Sequence, residues 1–341
     1  MTQTVQIAIP MAGYGSRMRP HTWSKAKPLI PLAGMTVLDH ALDQFRSLPA
    51  GWQAEYVFIV SPFQKEQVQA HMAAYYPDLP VKIVVQEVMN GQAPALYLAR
   101  EFLKGPMLMS FSDTLIDTDL SILTSDTHDG LAWVMPVPDP RRFGVAVVDA
   151  SGRITRLVEK PVDIENNLAV VGFYYFKSGE ALMEAIAEQI AGGKTIKGEY
   201  FLTESINIML KHGANFAPVQ IDTWLDAGVI SATLETNAWL LSHGRDNSAE
   251  AAKRLTEATI IPPVHIHPTA QVHGSVIGPY VSLGAECVVE SAVVRNAIID
   301  TNTHIRDMIL TDSIIGRHVC LSGAPTRLNV GDNSSVESGE S

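Results

Sequence analysis

Cysteine is nearly absent, with Cys287 and Cys320 the two in 341 residues. Two cysteines make no disulfide framework, and no Cys/His spacing suggests a zinc site, so a cytoplasmic location follows by default. Long apolar runs are also missing. None approaches the ~20 residues a membrane span needs, so no membrane partner is expected. The stretch Met1–Gln6 has no basic cluster, and no secretory signal is expected from it. Positive charge is scarce as well: 25 Lys and Arg stand against 36 Asp and Glu, a net −11. That balance argues against general nucleic-acid binding. Charged residues make up 18% and hydrophobic residues 46%, which suits a globular chain with a sizeable core and excludes disorder. At ~150 residues per domain, the length suggests about two domains.

One absence is local. No Asp or Glu precedes Asp39, yet Arg17, Arg19, Lys25 and Lys27 all lie in that stretch. An acidic chain with a basic, acid-free head concentrates positive charge in one place, as an anion site would.

Residues 1–243 alternate strand and helix signals. Val5–Ile9, Tyr56–Val60, Val81–Val85 and Met107–Phe111 read as short buried strands. Asp39–Leu48, Pro62–Tyr75 and Pro94–Leu103 read as helices between them. This β-α alternation predicts a largely parallel sheet covered by helices on both faces. Leu131–Val137, Val145–Val148, Ile154–Val158 and Ala169–Phe176 then follow without long helices, which predicts an antiparallel insertion or lid. Helices are expected again at Gly179–Ala191, Leu202–His212 and Ser231–Ser242, before a polar linker at 244–258.

From Ile260 the pattern changes. Aliphatic anchors recur at Ile266, Val272, Ile277, Leu283, Val289, Val294, Ile299, Ile305, Leu310, Ile315 and Leu321, always five or six residues apart. Gly274, Gly278, Gly284 and Gly316 fall between anchors. A hexad-like repeat predicts a β-helix over 259–330, each short strand supplying one inward aliphatic and three strands closing one coil. A polar tail, 331–341, follows. His265, His267 and His273 cluster near the start of the repeat, where an exposed corner explains them as well as a metal would.

The first strand runs into Met11-Ala12-Gly13-Tyr14-Gly15-Ser16-Arg17. Ligands of a parallel α/β sheet bind at the carboxyl ends of its strands. Two glycines there let backbone N–H groups approach a phosphate, and Arg17 adds a charged planar fork. No Gly-Lys-Ser/Thr follows, so this is not a P-loop. Met18 stands at the third glycine position, so it is not the dinucleotide fingerprint. A glycine turn beside a surface arginine remains the plain alternative. Lys27 alone would be an ordinary surface lysine, but with Gly13, Gly15 and Arg17 it forms a specific constellation.

That constellation resembles the signature of the sugar-phosphate nucleotidylyltransferases, G-x-G-x-R-x-x-P-x-T followed by P-K-P-L. Here it reads Gly13-Tyr14-Gly15-Ser16-Arg17-Met18-Arg19-Pro20, Thr22 and Lys27-Pro28-Leu29. Further matches occur in family order: Ser112-Asp113, Phe143-Gly144-Val145, Val158-Glu159-Lys160-Pro161, Ala169–Tyr174, Gly198-Glu199 with Leu202-Thr203-Glu204, and Trp224-Leu225-Asp226-Ala227-Gly228. The repeat tail, with Ser313–Arg317 and Gly331–Ser334, is similar to long-form glucose-1-phosphate thymidylyltransferases. Ala26 replaces the usual proline before the lysine, and Ser112 the usual glycine before the aspartate. Gly91–Ala95 follows the family's G-x-A-x-A only loosely. These departures bear on base and sugar specificity.

The resemblance implies a Rossmann-like mixed-sheet nucleotidyltransferase domain followed by a short left-handed parallel β-helix. It implies Mg²⁺-dependent transfer of a nucleotidyl group from dTTP or UTP to a sugar-1-phosphate such as glucose-1-phosphate. Asp113 and Asp226 would hold the metal, and Arg17 and Lys27 would stabilise charge on the phosphates. Ala12, Gly13, Gly15, Ser16, Gln86 and Gly91 would bind the nucleotide, with the Gln86 amide offered to a pyrimidine edge. Gly144, Glu159, Lys160, Gly172 and Thr203 would bind the sugar phosphate. Taken alone, Asp113 also suits a cap or turn, Glu159 and Lys160 a strand-edge ion pair, and Gln86 a surface position. The β-helix predicts a homo-oligomer. Added acyl transfer, or a non-catalytic sugar-nucleotide-binding role, stand as the alternatives.

Overall fold

The computed structural model describes residues 3–193, 195–324 and 330. The chain divides into two compact units, Met1–Thr236 and Asn237–Ser341. The first unit begins with β1 (Gln3–Pro10), a small hairpin of β2 (Pro31–Leu32) and β3 (Met35–Thr36), and α1 (Val37–Asp43). Next come β4 (Trp52–Val60), α2 (Pro62–Tyr75), β5 (Val81–Val85), α3 (Gln92–Leu98), β6 (Met107–Ser110) and β7 (Thr114–Ile116). Strands β8 (Gly130–Pro136), β9 (Gly144–Val148), β10 (Ile154–Glu159) and β11 (Leu168–Phe176) follow. Helices α4 (Gly179–Gly192) and α5 (Leu202–Lys211), strands β12 (Phe216–Gln220) and β13 (Trp224–Asp226), and α6 (Ile230–Leu240) complete the series.

Nine strands form one mixed sheet in the order β5-β4-β1-β6-β11-β8-β12-β10-β9. The first four run parallel, and β11 enters antiparallel to β6. The segments expected as an insertion or lid are therefore continuous with the main sheet: β11 lies at its centre between β6 and β8. Their antiparallel pairing is as expected; their place in the sheet is not, because alternation within a strand says nothing about which strand it joins.

Alternation along β1 sends side chains to two cores. Val5, Ile7 and Ile9 pack on one face with Leu38, Leu42 and Phe45, while Ala8 faces Leu96, Leu182, Ile186 and Ile206 on the other. Helix α2 starts where its sequence says it should. Pro62 occupies the first turn, and Ser61 with Gln64 forms a reciprocal capping box.

The second unit holds three four-stranded parallel sheets. Their strands are β14 (Thr259–Ile260), β15 (Val264–Ile266), β16 (Gln271–His273), β17 (Val276–Ile277), β18 (Val281–Leu283), β19 (Val288–Glu290), β20 (Val293–Val294), β21 (Ala297–Ile299), β22 (His304–Arg306), β23 (Ile309–Leu310), β24 (Ser313–Ile315) and β25 (Cys320–Ser322). Every third strand joins the same sheet, as in a left-handed β-helix. Each of the predicted anchors lies in a strand, and the anchors stack in register: Ile260 on Ile277 on Val294 on Leu310, Ile266 on Leu283 on Ile299 on Ile315, and Val272 on Val289 on Ile305 on Leu321. Left-handed backbone recurs at the corners Tyr280, Glu286, Ser291, Asn296, Asn302, Asp307, Asp312 and His318, half of them the Asn and Asp types that tolerate it best.

The polar stretch expected as a linker contains α7 (Ser248–Arg254), and Ala251 and Leu255 are buried in the β-helix core. The histidines at the start of the repeat have separate surroundings. His273 pairs with Glu257 at 2.8 Å, His267 bonds Thr269 at 3.0 Å, and the pKa of His265 is lowered by burial and by nearby His267 and Arg245. Among the described residues, no group of three or more His, Cys, Asp or Glu suits a metal ion, and no helix is long and apolar enough to cross a membrane. Gly331–Ser334 and the expected polar tail lie outside the described residues.

Candidate active site

The segment after β1 is held open by its neighbours. The Met11 N–H donates to the Ile59 carbonyl at 2.8 Å. The Gly13 carbonyl accepts from Gln64 Nε2 at 3.2 Å, and the Gly15 carbonyl from Thr22 Oγ1 at 2.8 Å. Gly15 has φ +61°, and a Cβ there would lie 3.0 Å from Thr22 Cγ2 and 3.2 Å from Lys27 Cβ. Glycine is thus required twice over, for the backbone turn and for the close approach of the lysine segment.

Lys27 reaches from that contact to an ion pair with Asp113, just beyond β6. Strand β13 pairs antiparallel with β7, aligning Asp226 with Thr114, and the Ala227 N–H donates to the Asp113 carbonyl at 3.0 Å. This pairing brings two distant aspartates to one place. Gly228 sits between them: a Cβ on it would lie 2.6 Å from Asp226 Oδ1 and 3.4 Å from both Asp113 Oδ2 and an Arg17 guanidinium nitrogen.

The pKa values of the two carboxylates are shifted in opposite directions. Burial raises the Asp113 pKa, but the charge and hydrogen bond of Lys27, with help from Arg17, outweigh it and hold the carboxyl below its usual range. Asp226 is raised, first by burial and then by the charge of Asp113, and the Gly228 N–H, Lys27 and Arg17 do not offset this.

Ala12, Gly13, Gly15, Ser16, Arg17, Lys27, Gln86, Gly91 and Asp113 line one cavity of about 430 Å³. It opens at the carboxyl ends of β1, β5 and β6, where the parallel sheet places a ligand. Gln86 is 4% exposed, and its Nε2 donates to the Val88 carbonyl at 3.0 Å. It therefore shapes the 86–91 loop from within. Gly91 has φ +119°, and a Cβ there would meet the Tyr200 carbonyl oxygen at 2.4 Å.

Four of the residues expected at the sugar phosphate form a second group. Gly144 pairs with Glu159 across β9 and β10. A Cβ on Gly144 would lie 3.2 Å from Glu159 Oε2 and 3.1 Å from Thr203 Cγ2. Thr203 Oγ1 donates to Glu159 Oε2 at 3.3 Å, and Lys160 Nζ lies 3.8 Å from Glu159 Oε1 and 4.4 Å from the Phe201 ring centre. Burial raises the Glu159 pKa; Lys160 and Thr203 oppose this, and the charge of Glu199 adds to it. Gly172 stands apart. The space a Cβ would fill there belongs to the Phe111 ring, 2.4 Å away, at the register shift of β11.

Glu199 and Gly228 also line the cavity, although the sequence reading assigned neither a role. Both sit inside the quoted motifs, and the signal for Gly228 was its place two residues after Asp226. Gln64 carried no ligand signal, only that of a helix cap.

Residues 8–243 match the nucleotidyl transferase family, and the chain belongs to that family. It is 28% identical to the glucose-1-phosphate thymidylyltransferase of Streptomyces griseus, over 95% of this chain and 97% of the relative. It is also 28% identical to the UTP–glucose-1-phosphate uridylyltransferase of Haloferax volcanii, over 66% of this chain and 91% of the relative. Among solved structures, a Bacillus anthracis protein determined with sucrose has a similar fold. The TM-score is 0.59 at 23% identity, over 69% of this chain and 94% of that one.

Proposed function

We propose that this nucleotidyl transferase moves a nucleotidyl group from dTTP or UTP to glucose-1-phosphate, releasing pyrophosphate and forming a nucleoside-diphosphate sugar. The observation that carries the reading is the convergence of Arg17, Lys27, Asp113 and Asp226 around Gly228, beside a cavity floored by the glycine segment. An oxygen of the sugar phosphate forms a bond to the α-phosphorus as the bond from that phosphorus to the pyrophosphate oxygen breaks. The attacking oxygen is already ionised, so no general base is needed. The task is to hold two anions in line and balance their charge. Arg17 and Lys27 meet the α-phosphate and the departing pyrophosphate. Lys160 pairs with the sugar phosphate, and Glu159 accepts from sugar hydroxyls.

The donor set also fits a divalent cation, Mg²⁺ in our reading. Asp113 and Asp226 face the same small space, and the charge of one makes ionisation of the other harder. When bound, the ion would neutralise phosphate charge through one or two carboxylates. We place the reaction in residues 1–243, in the cytoplasm, and assign the β-helix, expected over 259–330, to assembly of a homo-oligomer.

Purified protein given Mg²⁺, dTTP or UTP and glucose-1-phosphate should release pyrophosphate. Absence of turnover with every common nucleotide and sugar phosphate would sink the reading.

A further inference from the structure

The two segments that face the phosphates, one ending at Arg17 and one centred on Lys27, are both tied to helix α2. Gln64, 2% exposed, accepts the Ser61 N–H through Oε1 at 2.9 Å and donates through Nε2 to the Gly13 carbonyl at 3.2 Å. Three residues on, on the same helix face, Gln67 donates through Nε2 to the Phe63 carbonyl at 3.3 Å and accepts the Ala26 N–H through Oε1 at 3.0 Å. Each glutamine uses one end of its amide on its own helix and the other on a phosphate-facing segment. Because an amide has one donor end and one acceptor end, the helix contact fixes which end faces the loop.

Ala26 is 1% exposed, so its N–H needs a partner. A proline at this position would have no N–H to satisfy, and the φ of −58° at Ala26 is one a proline ring adopts. Lys27 follows directly, its Cβ close to the space left by Gly15 and its ammonium group on Asp113.

We propose that α2 positions the phosphate side of the site: Gln67 sets Lys27 through the Ala26 N–H, and Gln64 sets the Gly13–Arg17 segment through the Gly13 carbonyl. The proposal rests on the nucleotidyl-transfer reading for its kinetic consequence, though the tether itself does not.

The test compares Gln67→Ala, Gln67→Glu and the double variant Gln67→Ala/Ala26→Pro. It measures kcat and KM for each substrate, and amide exchange across residues 24–32 by mass spectrometry. Gln67→Ala leaves a buried donor unpaired and should lower kcat/KM for the triphosphate about 10-fold, with faster exchange at 24–32. KM for the sugar phosphate should stay within about 2-fold. Gln67→Glu keeps an acceptor and should recover to within about 3-fold of the wild type. The double variant has no donor left to satisfy and should recover similarly. A double variant as impaired as Gln67→Ala would overturn the proposal, as would unchanged exchange and kinetics in Gln67→Ala. If Gln67→Ala does not fold, a folded and active double variant supports the tether, and an unfolded one overturns it. If the wild type turns over no triphosphate, the functional reading fails on its own. Faster exchange in Gln67→Ala would then still support the tether, and unchanged exchange would refute it.

Discussion

Asp113 and Asp226 share one small space but bear opposite relations to folding. The folded pKa of Asp113 is below its ordinary 3.8, so its ionised form stabilises the protein. That contribution is fully present above the unfolded value and is lost as pH falls through the folded one. The folded pKa of Asp226 is above 3.8, so its ionised form costs stability. That cost is fully present above the raised pKa and disappears below the unfolded one. At neutral pH without divalent cations, Asp226→Asn should therefore raise Tm, and Asp113→Asn should lower it. The gain from Asp226→Asn should vanish in acid. Calorimetry across pH 3 to 8 would check both signs, and equal shifts would contradict them. Turnover should fall roughly 10²-fold or more in Asp113→Asn and in Lys27→Ala. Gly228→Ala should cost a similar factor while leaving circular dichroism unchanged, because its methyl group would displace the Asp226 carboxylate.

At the scale of elements, the site depends on the pairing of two very short strands. Strands β7 and β13 have three residues each, and their register delivers Asp226 to Asp113. Neither strand was legible in the sequence, because three residues carry no periodicity to read. Strand β12 was missed for a different reason: Pro218 stands in its middle, and a proline there argues against a central strand. Length alone did not decide legibility: β4 begins at Trp52, before its expected start at Tyr56, and α1 spans Val37–Asp43 where 39–48 was expected. Helix α2 spans Pro62–Tyr75 as expected, and β5 spans Val81–Val85. The 94–103 helix was overextended, since α3 is Gln92–Leu98. The grouping of Gly13, Gly15, Arg17 and Lys27 at one cavity was legible because uncommon residues stand at close spacing there. Glu199 was not, because its approach to the cavity depends on the bridge between Gly91 and Tyr200, far apart in sequence. Gly91→Ala would force those backbones apart. It should weaken triphosphate binding at least 10-fold with little change in sugar-phosphate KM, as titration calorimetry and kinetics would show.

The molecule as a whole carries separate cores in its two units, one pair flanking the mixed sheet and one inside the β-helix. Val289 is fully buried at the centre of the second. Val289→Asp should therefore remove or lower one thermal transition by far more than the other, since an unpaired buried charge costs several kcal/mol. A uniform shift of all transitions would argue against independent cores. The β-helix also limits how this chain can change length. Each ladder returns to the same face after 16 or 17 residues, and the strands of the β15-β18-β21 ladder bury two aliphatics each, as with Val264 and Ile266, where one per strand was expected. A single deletion within a strand turns every later anchor outward until the next corner absorbs it. Lineages of this protein should therefore gain or lose whole coils, or single residues at corners such as Asn296 and Asn302, and not residues at the anchors.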